Sequence, residues 1–110
     1  MISDYERVKD IILGHRGKQN AITGAAIASS IGHRDDRVIR EIIRELIAGG
    51  WPIAASVKGQ QGYFLCETLL EAQEYQDSLK SRLIHDALRR RDFKRAFHRQ
   101  LAGATQKRML

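Results

Sequence analysis

Residues 35–48, DDRVIREIIRELIA, constrain the fold more than any other stretch of the chain. Laid out at about 100° per residue, Val38, Ile39, Ile42, Ile43, Leu46 and Ile47 fall on one broad face. Arg37, Arg40 and Arg44 form a stripe on the other, with Glu41 and Glu45 beside it. So apolar a face must be buried, and the segment predicts an amphipathic helix docked on a core. Asp35 is the expected N-cap, because its carboxylate can accept an orphan backbone N–H at the positive helix end. Gly49 and Gly50 followed by Trp51-Pro52 stop the helix, since glycine tolerates the C′ position and proline forces the residue before it into an extended conformation. The arginine stripe fits two readings equally: a recognition helix presenting cations outward, or a solvated face in which Arg37 pairs with Glu41 at i,i+4.

Ser3-Asp4-Tyr5-Glu6 has the S-x-x-E form of a capping box and predicts a first helix over 4–13, with Val8, Ile11 and Ile12 at helical spacing. Gly14 ends it, and residues 15–20, HRGKQN, read as an exposed loop. Ala21-Ile22 is too short for a helix and suits a single short strand. Thr23 caps a second helix over 24–31, whose Ala25, Ala26 and Ala28 permit close packing, and Gly32-His33-Arg34 forms a tight turn. Past the double glycine the period changes. Residues 53–57 and 62–66 are β-favouring runs around residues 58–61, which read as a hairpin. Thr68 caps a long helical stretch reaching at least Leu88, with Leu69, Ala72, Tyr75, Leu79, Leu83, Ala87 and Leu88 at 3–4 spacing. Phe93 and Phe97, at i,i+4, either continue it to Leu101 or begin a separate helix. A 30-residue helix would span about 45 Å, longer than so small a domain needs for its own core. The segments expected are therefore 1–67, 68–101 and a frayed tail over 102–110.

Helix, short strand, helix, turn, helix, hairpin is the order of a winged helix–turn–helix: a mainly α chain with a small β-hairpin wing (α+β), followed by a long C-terminal helical segment. A plain two-helix hairpin with an unrelated β-ribbon is the simpler alternative. NAIT, IASSIG, DRVIREIIREL, GGWPIAAS and QGYFL, taken in that order, resemble the winged-helix domains of the biotin-repressor type. They are more similar still to small helix–turn–helix proteins of bacteriophages and prophages, which add a helical C-terminal segment. The resemblance covers about residues 21–65. It implies residues 32–34 as the turn, 35–48 as the recognition helix and 58–61 as the wing. Asp35 and Asp36 depart from the basic or hydroxylated start common in DNA readers, and two carboxylates there would repel a phosphate backbone. Nothing after Leu65 resembles a biotin ligase, so no ligase activity is implied.

Charge is unevenly spread along the 110 residues: 80–110 hold ten Lys/Arg against Asp86 and Asp92, net +8, whereas 1–79 are net −2. A basic segment favours phosphate-rich or acidic partners. Arg89, Arg90, Arg91, Lys94, Arg95 and Arg99 circle the helix rather than line one side of it. They make either a solvated tail or a surface for non-specific phosphate contact or an acidic protein partner. No apolar run approaches the roughly 20 residues of a membrane span, and the N-terminus lacks the pattern of a secretory signal. The single Cys66 excludes an internal disulfide and fits a reducing cytoplasm.

Catalytic chemistry is not expected. His15, His33, His85 and His98 are scattered, and none pairs with Cys66 at metal-ligand spacing. Residues 14–18 lack the phosphate-loop pattern. Asp35 and Asp36, about 100° apart on a helix, are no acid–base pair, and no cofactor or metal is implied. Trp51 and Tyr63 read as core residues sealing the hairpin rather than as base-stacking platforms.

These features point to a cytoplasmic protein that binds double-stranded DNA in transcriptional control or replication. Arg37, Arg40 and Arg44 would enter the major groove, Arg34 would sit near adjoining phosphates, and Lys58, Gln60 and Gln61 would touch the backbone or minor groove. Leu79, Leu83, Ala87 and Leu88 would form a homodimer interface, unless the helix folds back so that Phe93 and Phe97 cover the first helix. The rival is a protein-interaction module whose basic tail docks an acidic partner.

Overall fold

The computed structural model describes the backbone of residues 2–109 and the side chains of residues 2–103. Along the chain run α1 (Asp4–Leu13), a 3-10 turn (Lys18–Asn20), α2 (Gly24–Ser30), α3 (Arg37–Ala48), the strands β1 (Ile53–Ser56) and β2 (Gly62–Leu65), and α4 (Leu69–Met109). The outline is mainly helical, with a small antiparallel hairpin and a long C-terminal helix. The chain divides into two units, Met1–Tyr75 and Gln76–Leu110.

In the first unit, hydroxyls start three of the helices. Ser3 Oγ accepts the Glu6 N–H at 3.2 Å, Thr23 Oγ1 the Ala26 N–H at 3.1 Å and Thr68 Oγ1 the Glu71 N–H at 3.1 Å. α3 starts differently, with its N-cap one residue later than the sequence suggests. Asp35 Oδ1 reaches forward to the Arg37 N–H at 2.9 Å, a turn-forming bond that holds the chain out of the helix until Arg37, so Asp36 occupies the N-cap without a side-chain cap bond. Ile39, Ile42, Ile43 and Leu46 of α3 are buried against Val8 and Ile12 of α1, Ile27 and Ala28 of α2, and Ile53 and Leu65 of the hairpin. Val38 packs at the margin of this core, but Ile47, at the edge of the apolar face in the last turn, is 44% exposed.

The strands pair in the register Ile53↔Leu65, Ala54↔Phe64, Ala55↔Tyr63 and Ser56↔Gly62, so Val57 and Cys66 fall outside the hairpin expected to include them. Alternation sends Ile53 and Leu65 to the helical core, while Ala54 and Phe64 turn to the opposite face. There they form a second buried cluster with Ala21, bordered by Cys66 and Tyr75. The expected third strand is a one-residue bridge: Ile22 and Tyr63 exchange N–H···O bonds of 2.9 and 2.7 Å, and Thr23 then begins α2. Gly62 permits this approach. Its φ is +123°, and a Cβ there would overlap the Ile22 carbonyl.

Residues 15–20 are not the free loop expected. The Gly17 N–H bonds the Leu65 carbonyl at 3.0 Å and the Leu65 N–H bonds the His15 carbonyl at 2.9 Å, so this segment satisfies the edge of β2 and Gly17 is buried. The Lys18 N–H then reaches Glu71 Oε2 at 2.6 Å. Glu71 Oε1 also accepts the Glu67 N–H at 3.0 Å and the Thr68 N–H at 3.4 Å, the second of these completing a reciprocal capping box with Thr68. Bonds from the Glu67 and Lys18 backbone, in that order, hold the Glu71 carboxyl below the usual carboxylate range.

In the second unit α4 continues without a break past residue 92, so Phe93 and Phe97 belong to the same helix as Leu79. The backbone remains helical to Met109 across the tail expected to fray, and Leu110 lies outside the described residues. Every residue from 76 to 102 is exposed. Among the described residues no helix is long and apolar enough to cross a membrane.

Candidate functional site

Burial of Ile39, Ile43 and Leu46 forces the opposite side of α3 outward, and Arg37, Arg40 and Arg44 are all exposed there. The pairing is not the i,i+4 pair of Arg37 with Glu41. Arg37 Nε lies 3.9 Å from Asp35 Oδ2 and Arg40 Nη2 lies 3.6 Å from Asp36 Oδ1. Ion pairs so exposed hold their partners by about 1 kcal/mol or less. Arg34 and Arg44 make no ion pair among the described residues. Residues 34–45 thus carry four arginines against Asp35, Asp36, Glu41 and Glu45, a balanced patch rather than a basic one.

Tyr63 belongs to this patch, which its aromatic, β-favouring character does not reveal. It is half-buried beside the start of α2, its ring meeting the position a Gly24 Cβ would take at 3.4 Å. Burial pushes its phenol above the ordinary range; Arg40 opposes that, while Asp36 and Tyr75 add to it. Trp51 packs on the core near Ile12, Leu13, Ile53 and Leu65, with Lys9 Nζ 5.6 Å from its ring.

The hairpin loop is less free than its composition suggests. The Gln60 amide donates to the Ala21 carbonyl at 3.1 Å and the Gln61 amide to the Val57 carbonyl at 3.4 Å, so both side chains brace the loop. Lys58 is exposed, and its own carbonyl accepts from Ser56 Oγ at 2.8 Å. At the turn before α3, His33 Nε2 lies 2.7 Å from Asp4 Oδ2, joining segments 29 residues apart that no local pattern links.

Cys66 is half-buried, and burial, then the nearby Glu71 carboxylate, push its thiol up, away from the reactive thiolate. Among the described residues no group of three or more His, Cys, Asp or Glu is placed to hold a metal ion.

In the second unit Arg89, Arg90, Arg91, Lys94, Arg95 and Arg99 are exposed, with Arg91 turned to Asp92 at 3.2 Å. Leu79, Leu83, Ala87 and Leu88 are exposed too, yet they do not share one line. At about 100° per residue Leu79 and Leu83 align, Ala87 flanks them, and Leu88 faces the opposite side. Leu88 follows Ala87 by one residue and Leu79 by nine, which breaks the 3–4 spacing and turns it half way round the helix.

The chain matches no protein-family model, no curated protein and no solved structure.

Proposed function

We propose that the chain is a winged-helix DNA-binding protein acting in transcriptional control or replication, with α3 as the recognition helix and the loop over residues 58–61 as the wing. The observation that carries this reading is the exposed stripe of Arg37, Arg40 and Arg44, held rigidly by the buried opposite face of α3. Support also comes from the order of elements and from the resemblance of residues 21–65 to phage and prophage helix–turn–helix proteins. Among the described residues Arg44 and Arg34 make no ion pair, which leaves them ready for phosphate or base contact; Arg37 and Arg40 must first exchange Asp35 and Asp36 for a nucleic-acid partner. Lys58 contributes a backbone contact. Gln60 and Gln61 each use one amide N–H to hold the loop in place, which leaves the second N–H and the amide oxygen for the nucleic-acid backbone or minor groove. The basic helix over 89–99 adds a sequence-independent phosphate term.

A second reading is favoured by the balanced charge of residues 34–45: the first unit binds protein, and the basic helix docks an acidic partner. A salt-dependent titration of the full chain on random and selected duplexes separates the two. On a cognate site Arg40→Ala and Arg37→Ala each cost about 1–3 kcal/mol and relax the preference there, while Lys58→Ala weakens all sequences equally. Asp36→Asn, which releases Arg40, tightens binding. Unchanged affinity and preference in the arginine variants would remove α3 from the DNA interface and leave the protein-binding reading.

A further inference from the structure

The geometry of α4 beyond residue 75 points to an interaction surface for a second copy of this chain, and it specifies the orientation of the pair. We infer that the helices associate antiparallel about a centre between Asp86 and Arg90.

Because α4 is continuous, its side chains from 76 to 103 can be placed on one lattice. Leu79, Leu83, Asp86, Arg90, Phe93 and Phe97 follow one another at spacings of 4, 3, 4, 3 and 4 residues. At about 100° per residue all six lie within about 40° of a single line. The four apolar members are open to solvent within the chain: Leu83 and Phe93 are each 71% exposed, Phe97 56% and Leu79 43%. Among the described residues Asp86 and Arg90 form no ion pair with each other or with any neighbour.

The stripe is symmetric in chemistry about its middle: two leucines and a carboxylate on one side, a guanidinium and two phenylalanines on the other. Turned antiparallel about that middle, Asp86 meets Arg90 of the second copy, and Arg90 meets its Asp86. Leu83 then meets Phe93, and Leu79 meets Phe97. Two ion pairs form, each charge meeting one opposite charge, and each aliphatic side chain covers a ring. A parallel, in-register pair sets Asp86 against Asp86 and Arg90 against Arg90 at the centre of the same strip, which like-charge repulsion opposes. A single charged pair within an apolar seam is the kind of device that fixes orientation and register. Leu88 and Ile84 face away from this seam and take no part in it.

This surface is independent of DNA binding, so its test is run without nucleic acid and leaves the α3 reading to its own titration. In a Cys66→Ser background, full-length chains carrying Leu79→Cys or Phe97→Cys are oxidised separately and as an equimolar mixture with one partner tagged. Disulfide-linked dimers are expected only between the two different chains in the mixture. Sedimentation equilibrium at micromolar concentration should give a dimer. Arg90→Asp should raise its dissociation constant about tenfold or more, and Asp86→Arg added to it should restore the wild-type value within about threefold. Leu83→Glu should give a monomer and Leu88→Glu should remain a dimer, both with wild-type helix content. Self-linking of either cysteine chain, a dimer that never links the mixture, a wild-type chain monomeric at every concentration, or failure of the charge exchange to restore association overturns the proposal.

Discussion

α3 and the part of α4 beyond Tyr75 both set an apolar stripe against charged residues, yet they stand in opposite positions. In α3 the stripe is closed: Ile39 and Leu46 are completely buried, with α1, α2 and the hairpin packed over them. In α4 the stripe is open, with Leu83 and Phe93 exposed although their spacing is as regular. Regular spacing therefore says that a helix has a face to cover, and the rest of the fold decides whether the chain covers it itself. Charge follows the same division. The segment that builds the core is close to neutral, and the helix without a core carries the excess of +8 over residues 80–110.

The sharpest way to break this comparison is truncation on both sides of it. Leu46→Ala should destabilise the first unit by about 2–5 kcal/mol, whereas Leu83→Ala should leave a melt followed by Trp51 fluorescence within about 0.5 kcal/mol of wild type. Equal costs would mean that the α4 stripe belongs to the same core. Gly62→Ala comes next, at roughly 2–4 kcal/mol, because the new Cβ meets the Ile22 backbone at a φ that only glycine holds without strain. A tolerated alanine would show that the Ile22–Tyr63 bridge is dispensable.

Glu71→Gln tests where the self-contained unit ends along α4, and it should cost about 1 kcal/mol at neutral pH. The folded carboxyl titrates below its unfolded value, so its contribution is present above the unfolded pKa and disappears as pH falls through the folded one. Urea melts of wild type and Glu71→Gln should therefore differ at about pH 7 and converge as the pH approaches about 2. A gap that widens on acidification would contradict the capping role. Smallest of all, Arg44→Ala should change stability by less than about 0.5 kcal/mol. A loss comparable to Leu46→Ala would mean that α3 is turned the other way.

Much of the fold was legible because its signals are local. Ser3, Thr23 and Thr68 each accept the N–H three residues on, as their capping patterns require, and the apolar spacing of α3 names all of its buried residues, adding Val38 at the core margin and Ile47, which is exposed. Of the candidate site, the exposed arginines were legible and their partners were not. Asp35 and Asp36 take Arg37 and Arg40 because the chain turns at Asp35 before α3 begins, a backbone detail that helical spacing cannot express.

The sequence by itself determined where the helices and the hairpin lie, the hydroxyl caps of three helices and the segregation of charge, since these are properties of a few neighbouring residues. Tertiary structure alone decided the closures between distant segments: Glu71 on Lys18, His33 on Asp4, Gln60 on Ala21, and residues 15–17 along the edge of β2. The physical reason is that an unpaired backbone N–H or carbonyl at a strand edge or helix end demands a partner without specifying which one. Only the packing of the core brings one candidate within hydrogen-bonding distance.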